Sequence, residues 1–148
     1  MRDLLDLQAQ VGGLLVQVAA PARRALAREI ATALRRSQVQ RIAQQRNPDG
    51  RPFAPRKPQL RDKKGRIRRA MFARLRTARY LRQQAGADGA VIEFASRVLR
   101  VARVHQYGLR DRVRRDGPEV DYAERQLLGF TEADERLVLD LVLAHLVP

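Results

Sequence analysis

Residues 131–147, TEADERLVLDLVLAHLV, decide the architecture of the C-terminal third of the chain. Thr131, followed three positions later by Asp134, is typical of a capping box, and the acidic residues around it suit the positive end of a helix dipole. Beyond residue 136 almost every side chain is large and apolar. A helix that is apolar nearly all round must be covered on most sides. In a chain of 148 residues this pattern favours assembly of several copies.

Helical spacing is also found at the N-terminus. Residues 3–18 carry Leu and Val every three or four positions, which predicts an amphipathic helix. Pro21 suits the first turn of a second helix. The predicted apolar stripe of that helix comprises Ala22, Leu26, Ile30, Leu34 and Ile42, and its other faces carry Arg23, Arg24, Arg28, Arg35, Arg36 and Arg41. The two helices can also run as one kinked helix.

Between these helical ends the sequence predicts an extended arm and a small sheet. Prolines and charges fill residues 47–70, which is typical of a long loop. A short helix over residues 69–79 precedes two strands, 80–85 and 90–96, joined by the hairpin-type stretch Gly86-Ala-Asp-Gly89. Residues 97–107 return to helical spacing, and Gly108 is a natural C-cap. A basic turn region over 109–118 and a third strand over 119–128 complete the series.

The fold class that follows is α+β, with a long N-terminal helix or helix pair, a basic arm, a small antiparallel sheet with a hairpin, a short middle helix and a C-terminal helix. We expect a single domain over residues 1–148. Within it, residues 1–46 are helical, 47–70 form the basic arm and 71–148 form an α+β core.

The net charge of +14 is unevenly distributed. Residues 51–82 hold 13 Lys and Arg and one acidic residue, whereas residues 116–148 hold eight acidic residues and two Arg. One interpretation is a surface for nucleic acid. Another is head-to-tail assembly, in which the acidic end of one copy meets the basic middle of the next.

Enzymatic function finds little support in the sequence. There is no Cys, so thiolate catalysis and Cys-based zinc sites are excluded. Neither Ser37 nor Ser96 lies in a nucleophile-elbow context, and His105 has no neighbouring carboxylate in the sequence. We therefore expect no catalytic, cofactor-binding or metal-binding residues. The N-terminus does not have the pattern of a signal peptide, and no apolar stretch is long enough to span a membrane.

Three segments, in this order and spacing, carry a resemblance. They are QRNPDGRPFAPRK at 45–57, VARVHQYGLRDRV at 101–113 and YAERQLLGFTEAD at 122–134. Together they resemble the virion morphogenesis family, the tail-completion proteins of Mu-like and related temperate tailed phages. The motif positions that this resemblance carries over are Asn47, Pro48, Asp49, Gly50, Phe53, His105, Gln106, Tyr107, Gly108, Leu127, Leu128 and Gly129.

The resemblance implies a structural virion protein of the tail or neck that enables stable head–tail joining. The implied assembly is a homo-oligomer, a hexameric ring. Its partners would be neck, head-completion, tail-tube or terminator proteins, with packaged DNA as a further contact and no membrane. Assembly would take place in the host cytoplasm. The main alternative is a basic nucleic-acid-binding protein without catalytic activity.

The candidate interface residues have expected roles. We expect residues 47–50 to turn the chain out of the long helix and Phe53 to anchor the arm on a neighbouring subunit. Gln106 and Tyr107 would supply a packing contact, and Leu127 and Leu128 would lead into the last helix. Arg56 and Lys57 are also candidates for the interface. The remaining cations of the basic arm are Arg51, Arg61, Lys63, Lys64, Arg66, Arg68 and Arg69.

Overall fold

The computed structural model describes residues 19–57 and 70–147. It contains helix α1 (Ala20–Ala43), the hairpin of β1 (Leu81–Gly86) and β2 (Gly89–Phe94), helix α2 (Ser96–Tyr107), the ribbon of β3 (Arg110–Arg112) and β4 (Glu119–Asp121), and helix α3 (Glu132–Leu146). The fold is α+β, as predicted. The amphipathic helix predicted over residues 3–18 and residues 58–69 of the predicted basic arm lie outside the described residues.

Helix α1 is 24 residues long, and Pro21 lies in its first turn, as predicted. Its buried face differs from the predicted stripe. Ala27, Ala31, Leu34, Gln38, Arg41 and Ile42 are buried, whereas Ala22 is exposed and Leu26 and Ile30 are only half-buried. Small side chains at positions 27 and 31 suit a helix that lies close to the hairpin, with which α1 makes its most extensive packing.

The β1–β2 hairpin is antiparallel, with Leu81 opposite Phe94 and Gly86 opposite Gly89. Its two-residue turn confirms the predicted hairpin, and its strands begin and end within two residues of the predicted limits. The prediction of a short helix over residues 69–79 is wrong. Residues 71–80 form successive turns, and the left-handed backbone of Phe72, with φ of 66°, cannot belong to a right-handed helix.

Helix α2 ends as predicted, since Gly108 has φ of 62° and its N–H donates to the Val104 carbonyl. The region after it differs from the prediction. Residues 110–112 form a strand rather than a turn, and the predicted third strand is shortened to β4. Opposite charges face each other across this ribbon, because Nε of Arg110 lies 3.2 Å from a Glu119 carboxylate oxygen. Such cross-strand pairs favour antiparallel pairing.

The core lies where α1, the hairpin, α2 and the chain before α3 meet. Its buried members are Ile42, Phe53, Leu81, Phe94, Ala102 and Leu127. Burying a large aliphatic or aromatic side chain of this kind stabilises a fold by about 1.5–3 kcal/mol. Within the described ranges, 19–57 and 70–147, no helix has the length and apolar character needed to cross a membrane.

Candidate assembly surface

The segment 125–129 connects the ribbon to helix α3 without pairing to a strand. Its backbone polar groups are instead bonded by side chains from three other parts of the chain. Asn47 accepts from the Gln126 N–H at 2.8 Å through Oδ1. Gln106 donates to the Leu128 carbonyl at 2.9 Å and accepts from the Leu128 N–H at 3.0 Å. These two motif residues therefore hold the segment in place.

Two buried residues of α1 hold the same segment, and sequence reasoning missed both of them. Gln38 donates to the Gly129 carbonyl at 3.0 Å and accepts from its N–H at 3.2 Å. Arg41 donates to the carbonyls of Gln126 and Leu127 at 2.9 and 2.8 Å. The position of Gln38, midway between Leu34 and Ile42 in a four-residue series, is the sequence signal that places it on the buried face.

The start of α3 is joined to α1 by a second polar contact. Asp134 closes the predicted capping box, accepting from the Thr131 N–H at 3.0 Å while its own N–H donates to the Thr131 hydroxyl at 3.1 Å. The Ser37 hydroxyl of α1 also donates to the Asp134 carboxylate. Asp134 is buried, so the cap fixes the orientation of α3 as well as its first turn.

Arg125 holds the stretch of chain that follows the turn after α1. Its guanidinium donates to the carbonyls of Ala54 and Pro55 at 2.7 and 2.9 Å. Its backbone N–H donates to the His105 carbonyl at 2.7 Å. Residues 51–57 therefore pack along the body of the protein rather than extending away from it.

Phe53 is buried in the core of its own chain. The expectation that it anchors the arm on a neighbouring subunit is therefore wrong, because a side chain in this position has no access to another molecule. Leu127 is likewise fully buried and belongs to the core. Both residues act through the stability of the subunit.

Other predicted interface residues lie in two further places. Pro48, Asp49, Gly50 and Arg51 form the turn after α1, in which the Gly50 N–H donates to the Asn47 carbonyl at 2.9 Å. Tyr107 and Leu128 lie elsewhere, on an apolar depression beside α2. Tyr107 is 63% exposed. The cations at 61–69 lie outside the described residues.

Gly108 and Gly129 are both places where the chain cannot carry a side chain. A Cβ on Gly108 would lie 2.9 Å from the backbone nitrogen of Glu124, and its backbone is left-handed. A Cβ on Gly129 would overlap the ring of Pro48. Pro48 and Gly129 therefore pack directly on each other, which explains why a residue without a side chain is needed at position 129.

An aromatic row runs from the core to the surface. The ring centroids of Phe53 and Phe72 are 5.6 Å apart, those of Phe72 and His105 4.8 Å, and those of His105 and Tyr122 5.1 Å. All three contacts are edge-to-face, the arrangement that aromatic quadrupoles prefer. His105 is therefore a packed member of this row. Burial, and then the nearby Arg125 guanidinium, lower its pKa below the usual range.

The outer end of this row lines an open groove of about 580 Å³. Its apolar surface comes from Met71, Phe72, Val113, Val120, Tyr122 and Ala123, with His105 between them. Arg56, Lys57 and Arg125 supply positive charge, and the described lining residues include no Asp or Glu. We call this feature the basic groove.

A second exposed feature is the outer face of α3. Leu139, Leu143 and Val147 are 56%, 49% and 69% exposed, and the only buried residue of the helix is Asp134. Among the described residues, none covers this face of the helix, and whether the whole subunit covers it stays a prediction. Exposed acidic residues share the helix with this apolar stripe; they are Glu132, Glu135 and Asp140.

The described residues of this small α+β protein leave the apolar face of one helix exposed and form one charged, partly apolar groove, which are features of a protein that packs into a larger assembly. The chain belongs to the phage virion morphogenesis family, which it matches over residues 3–147. It is 40% identical to tail completion protein S of Escherichia phage P2 over 148 residues, 99% of each chain. No solved structure matches it.

Proposed function

We propose that the chain is a structural subunit that completes the tail of a phage, and that it acts as one domain, 1–148, by packing with copies of itself into a ring. A hexamer is the ring that the family resemblance implies. The completed tail end would then be competent to join a head. Membership of the family and the name of the P2 relative support the tail role.

The observation that carries the ring proposal is the exposure of the apolar stripe of α3. Monomeric proteins rarely leave a continuous apolar patch in water unless it binds something. A surface of this kind on one side of a subunit, with a different receiving surface elsewhere, produces heterologous contacts, which close into a ring when the rotation between neighbours allows it.

A structural role also accounts for His105, a half-buried titratable side chain of α2. His105 is packed between Phe72 and Tyr122, and its Nδ1 lies 3.4 Å from the Arg125 guanidinium. Burial and the Arg125 guanidinium both lower the pKa of His105, which weakens it as a proton acceptor. We propose that His105 serves packing and not catalysis.

The partners we propose are the neighbouring neck, head-completion, tail-tube or terminator proteins, and the location is the tail or neck of the virion. Assembly would take place in the host cytoplasm.

The test is removal of the gene from the phage or prophage that carries it. Tail completion predicts filled heads and separate tails in electron micrographs, and recovery of joined particles when the chain is supplied from a plasmid. Joined, infectious particles at the normal titre without the chain would contradict the proposal.

A second candidate function, nucleic-acid binding, is favoured by the positive charge along α1. Arg23, Arg24, Arg28 and Arg36 are all exposed, and contacts of this kind bind phosphates without reading sequence. The two functions combine if ring subunits direct these side chains toward DNA in the channel. Replacing the four Arg by Gln distinguishes the two functions. If the variant loses salt-dependent DNA binding but heads and tails still join, tail completion is the function.

A further inference from the structure

We propose that the basic groove receives helix α3 of a second copy of this chain, so that the acidic, apolar face of one subunit fills the aromatic groove of the next. This inference rests on the proposed function, because it names the two surfaces through which copies would meet. It does not depend on the number of subunits in the ring.

The groove has the composition of a protein-binding surface. Its lining combines Phe72, Tyr122 and Met71 with a cationic rim, and aromatic residues, Met and Arg are the types enriched in the centres of interfaces. Its volume, about 580 Å³, is that of a concave ligand cleft, large enough to admit side chains from one face of a helix. Val113, at 60% exposed, continues the apolar lining outward on the ribbon side.

Helix α3 presents a matching face. Leu139, Leu143 and Val147 recur every four residues and therefore project from one side of the helix. Glu132, Glu135 and Arg136, all exposed, precede them by one or two turns on the same side. The start of the face thus carries two carboxylates and one guanidinium, and its end is apolar.

Charge identifies the occupant. The described lining of the groove holds cations and no carboxylate, while α3 exposes three acidic residues and one Arg. Electrostatic complementarity of this kind selects partners and increases their association rate. Double-stranded DNA would satisfy the cations but would leave the apolar lining without a counterpart, so a second copy fits the whole surface better.

The two surfaces belong to different parts of the fold, as a heterologous contact requires. In its own subunit α3 is fixed against α1, through the Ser37–Asp134 hydrogen bond and by His145, whose Nδ1 lies 3.7 Å from the Glu29 carboxylate. The groove is built from the other side of the core, by residues around α2 and the β3–β4 ribbon. Each copy therefore has one donor surface and one receiving surface.

The absence of Cys from the sequence allows a direct test by cross-linking. Two single variants, Val120→Cys in the groove and Leu143→Cys on α3, are co-produced so that assembled tails contain both. A disulfide between them is necessarily intermolecular and requires Cα atoms within about 7 Å. The control pair combines Leu143→Cys with Asp88→Cys, which lies at the hairpin turn.

We expect the groove pair to give a covalent dimer after mild oxidation of purified tails, at about tenfold the yield of the control pair, since only neighbouring surfaces meet the geometric limit. Equal yields from the two pairs would overturn the inference. If particles lacking the chain also join normally, the proposed function fails as well; if joining requires the chain and the yields are equal, only the interface is wrong.

A charge exchange keeps the inference testable if the Cys variants do not assemble. Lys57→Glu or Glu135→Lys alone is expected to reduce joined particles about tenfold, because like charges then face each other across the interface. The two together should restore joining to within about threefold of the unmodified chain, as expected for a direct pair. Arg97→Glu, at an exposed position near the start of α2 that belongs to neither proposed surface nor to the arginines of α1, is the control. Loss of DNA binding by Lys57→Glu, without rescue by Glu135→Lys, would instead assign the groove to nucleic acid.

Discussion

Arg41 lies at the centre of the described fold, although a helix dominated by Arg gives little reason to expect a buried guanidinium. It donates to the carbonyls of Arg46, Gln126 and Leu127 and to the Gln38 side chain, at 2.5–3.0 Å. Burial lowers the pKa of this guanidinium and the nearby Asp134 opposes that effect. Arg41 thus replaces the strand partner that segment 125–129 lacks.

Replacement of Arg41 by Met keeps the length of the side chain and removes every donor. We expect a loss of about 3 kcal/mol in the free energy of unfolding, because buried carbonyls then lose their partners. Urea denaturation followed by circular dichroism measures the change. Arg36→Met on the exposed side of the same helix is the control, expected within about 0.5 kcal/mol of the unmodified protein. An Arg41→Met variant as stable as this control would refute the structural role.

Gly108 combines a left-handed backbone with a close approach to Glu124. Gly108→Ala is expected to cost about 2 kcal/mol, since a side chain is strained there and also meets the neighbouring backbone. Gly86→Ala is the matched control, because a Cβ at Gly86 would meet nothing within 4 Å. Thermal unfolding of the two variants side by side checks the prediction, and similar midpoints would contradict it.

His105 makes the stability of the fold sensitive to acid. Its pKa in the folded protein is below its ordinary value, so below about pH 6.5 the unfolded chain binds more protons than the folded one and stability falls. The stability that neutral His105 contributes is complete above that pH and is lost as the pH falls toward the pKa of His105 in the folded protein. Unfolding midpoints at pH 7.5 and 5.5 measure this loss, and His105→Gln should reduce it. An unchanged pH dependence in that variant would exclude His105 as the cause.

Among the elements, α3 depends on its cap for both its first turn and its orientation. Thr131→Ala removes the hydroxyl that accepts from the Asp134 N–H and is expected to cost about 1 kcal/mol. Thr131→Ser keeps the hydroxyl and should remain within about 0.5 kcal/mol of the unmodified protein. Chemical denaturation of both variants measures the free energy of unfolding. Equal losses of stability in the two variants would contradict the capping role of the hydroxyl.

Elements defined by local signals were predictable from the sequence. The cap of α3, the glycine that ends α2 and the Gly-bounded hairpin each depend on residues within four positions of one another, so their patterns identify them. The turn series around Phe72 was not predictable in this way. Its apolar residues have helical spacing, yet Gln45 binds the backbone of Met71 at 2.9 and 3.0 Å, and this tertiary contact replaces helical bonding.

Elements that depend on contacts with distant residues were not predicted from the sequence. Segment 125–129 is held by Arg41, about 85 residues earlier in the chain, and no local pattern reports such a contact. The β3–β4 ribbon pairs two short charged stretches that, taken singly, have the composition of loops. At the candidate site, motif residues were found because the resemblance marked them, but their roles in packing came only from the structure.

For the whole molecule, charge and apolar exposure are arranged in a complementary way. The cations of the basic groove and the acidic residues of α3 lie on separate surfaces, and both surfaces include apolar side chains with no cover in the described fold. The described part of one subunit therefore leaves two surfaces without cover, and the proposed contact between copies would cover both. The family to which the chain belongs is consistent with such an assembled role.

The most direct test of this account is cryo-electron microscopy of purified tails, imaged at the end that meets the head. The account predicts a closed ring of copies of this chain, with α3 of each copy lying in the basic groove of its neighbour. Density for an isolated single copy, or a ring in which α3 faces solvent, would contradict it.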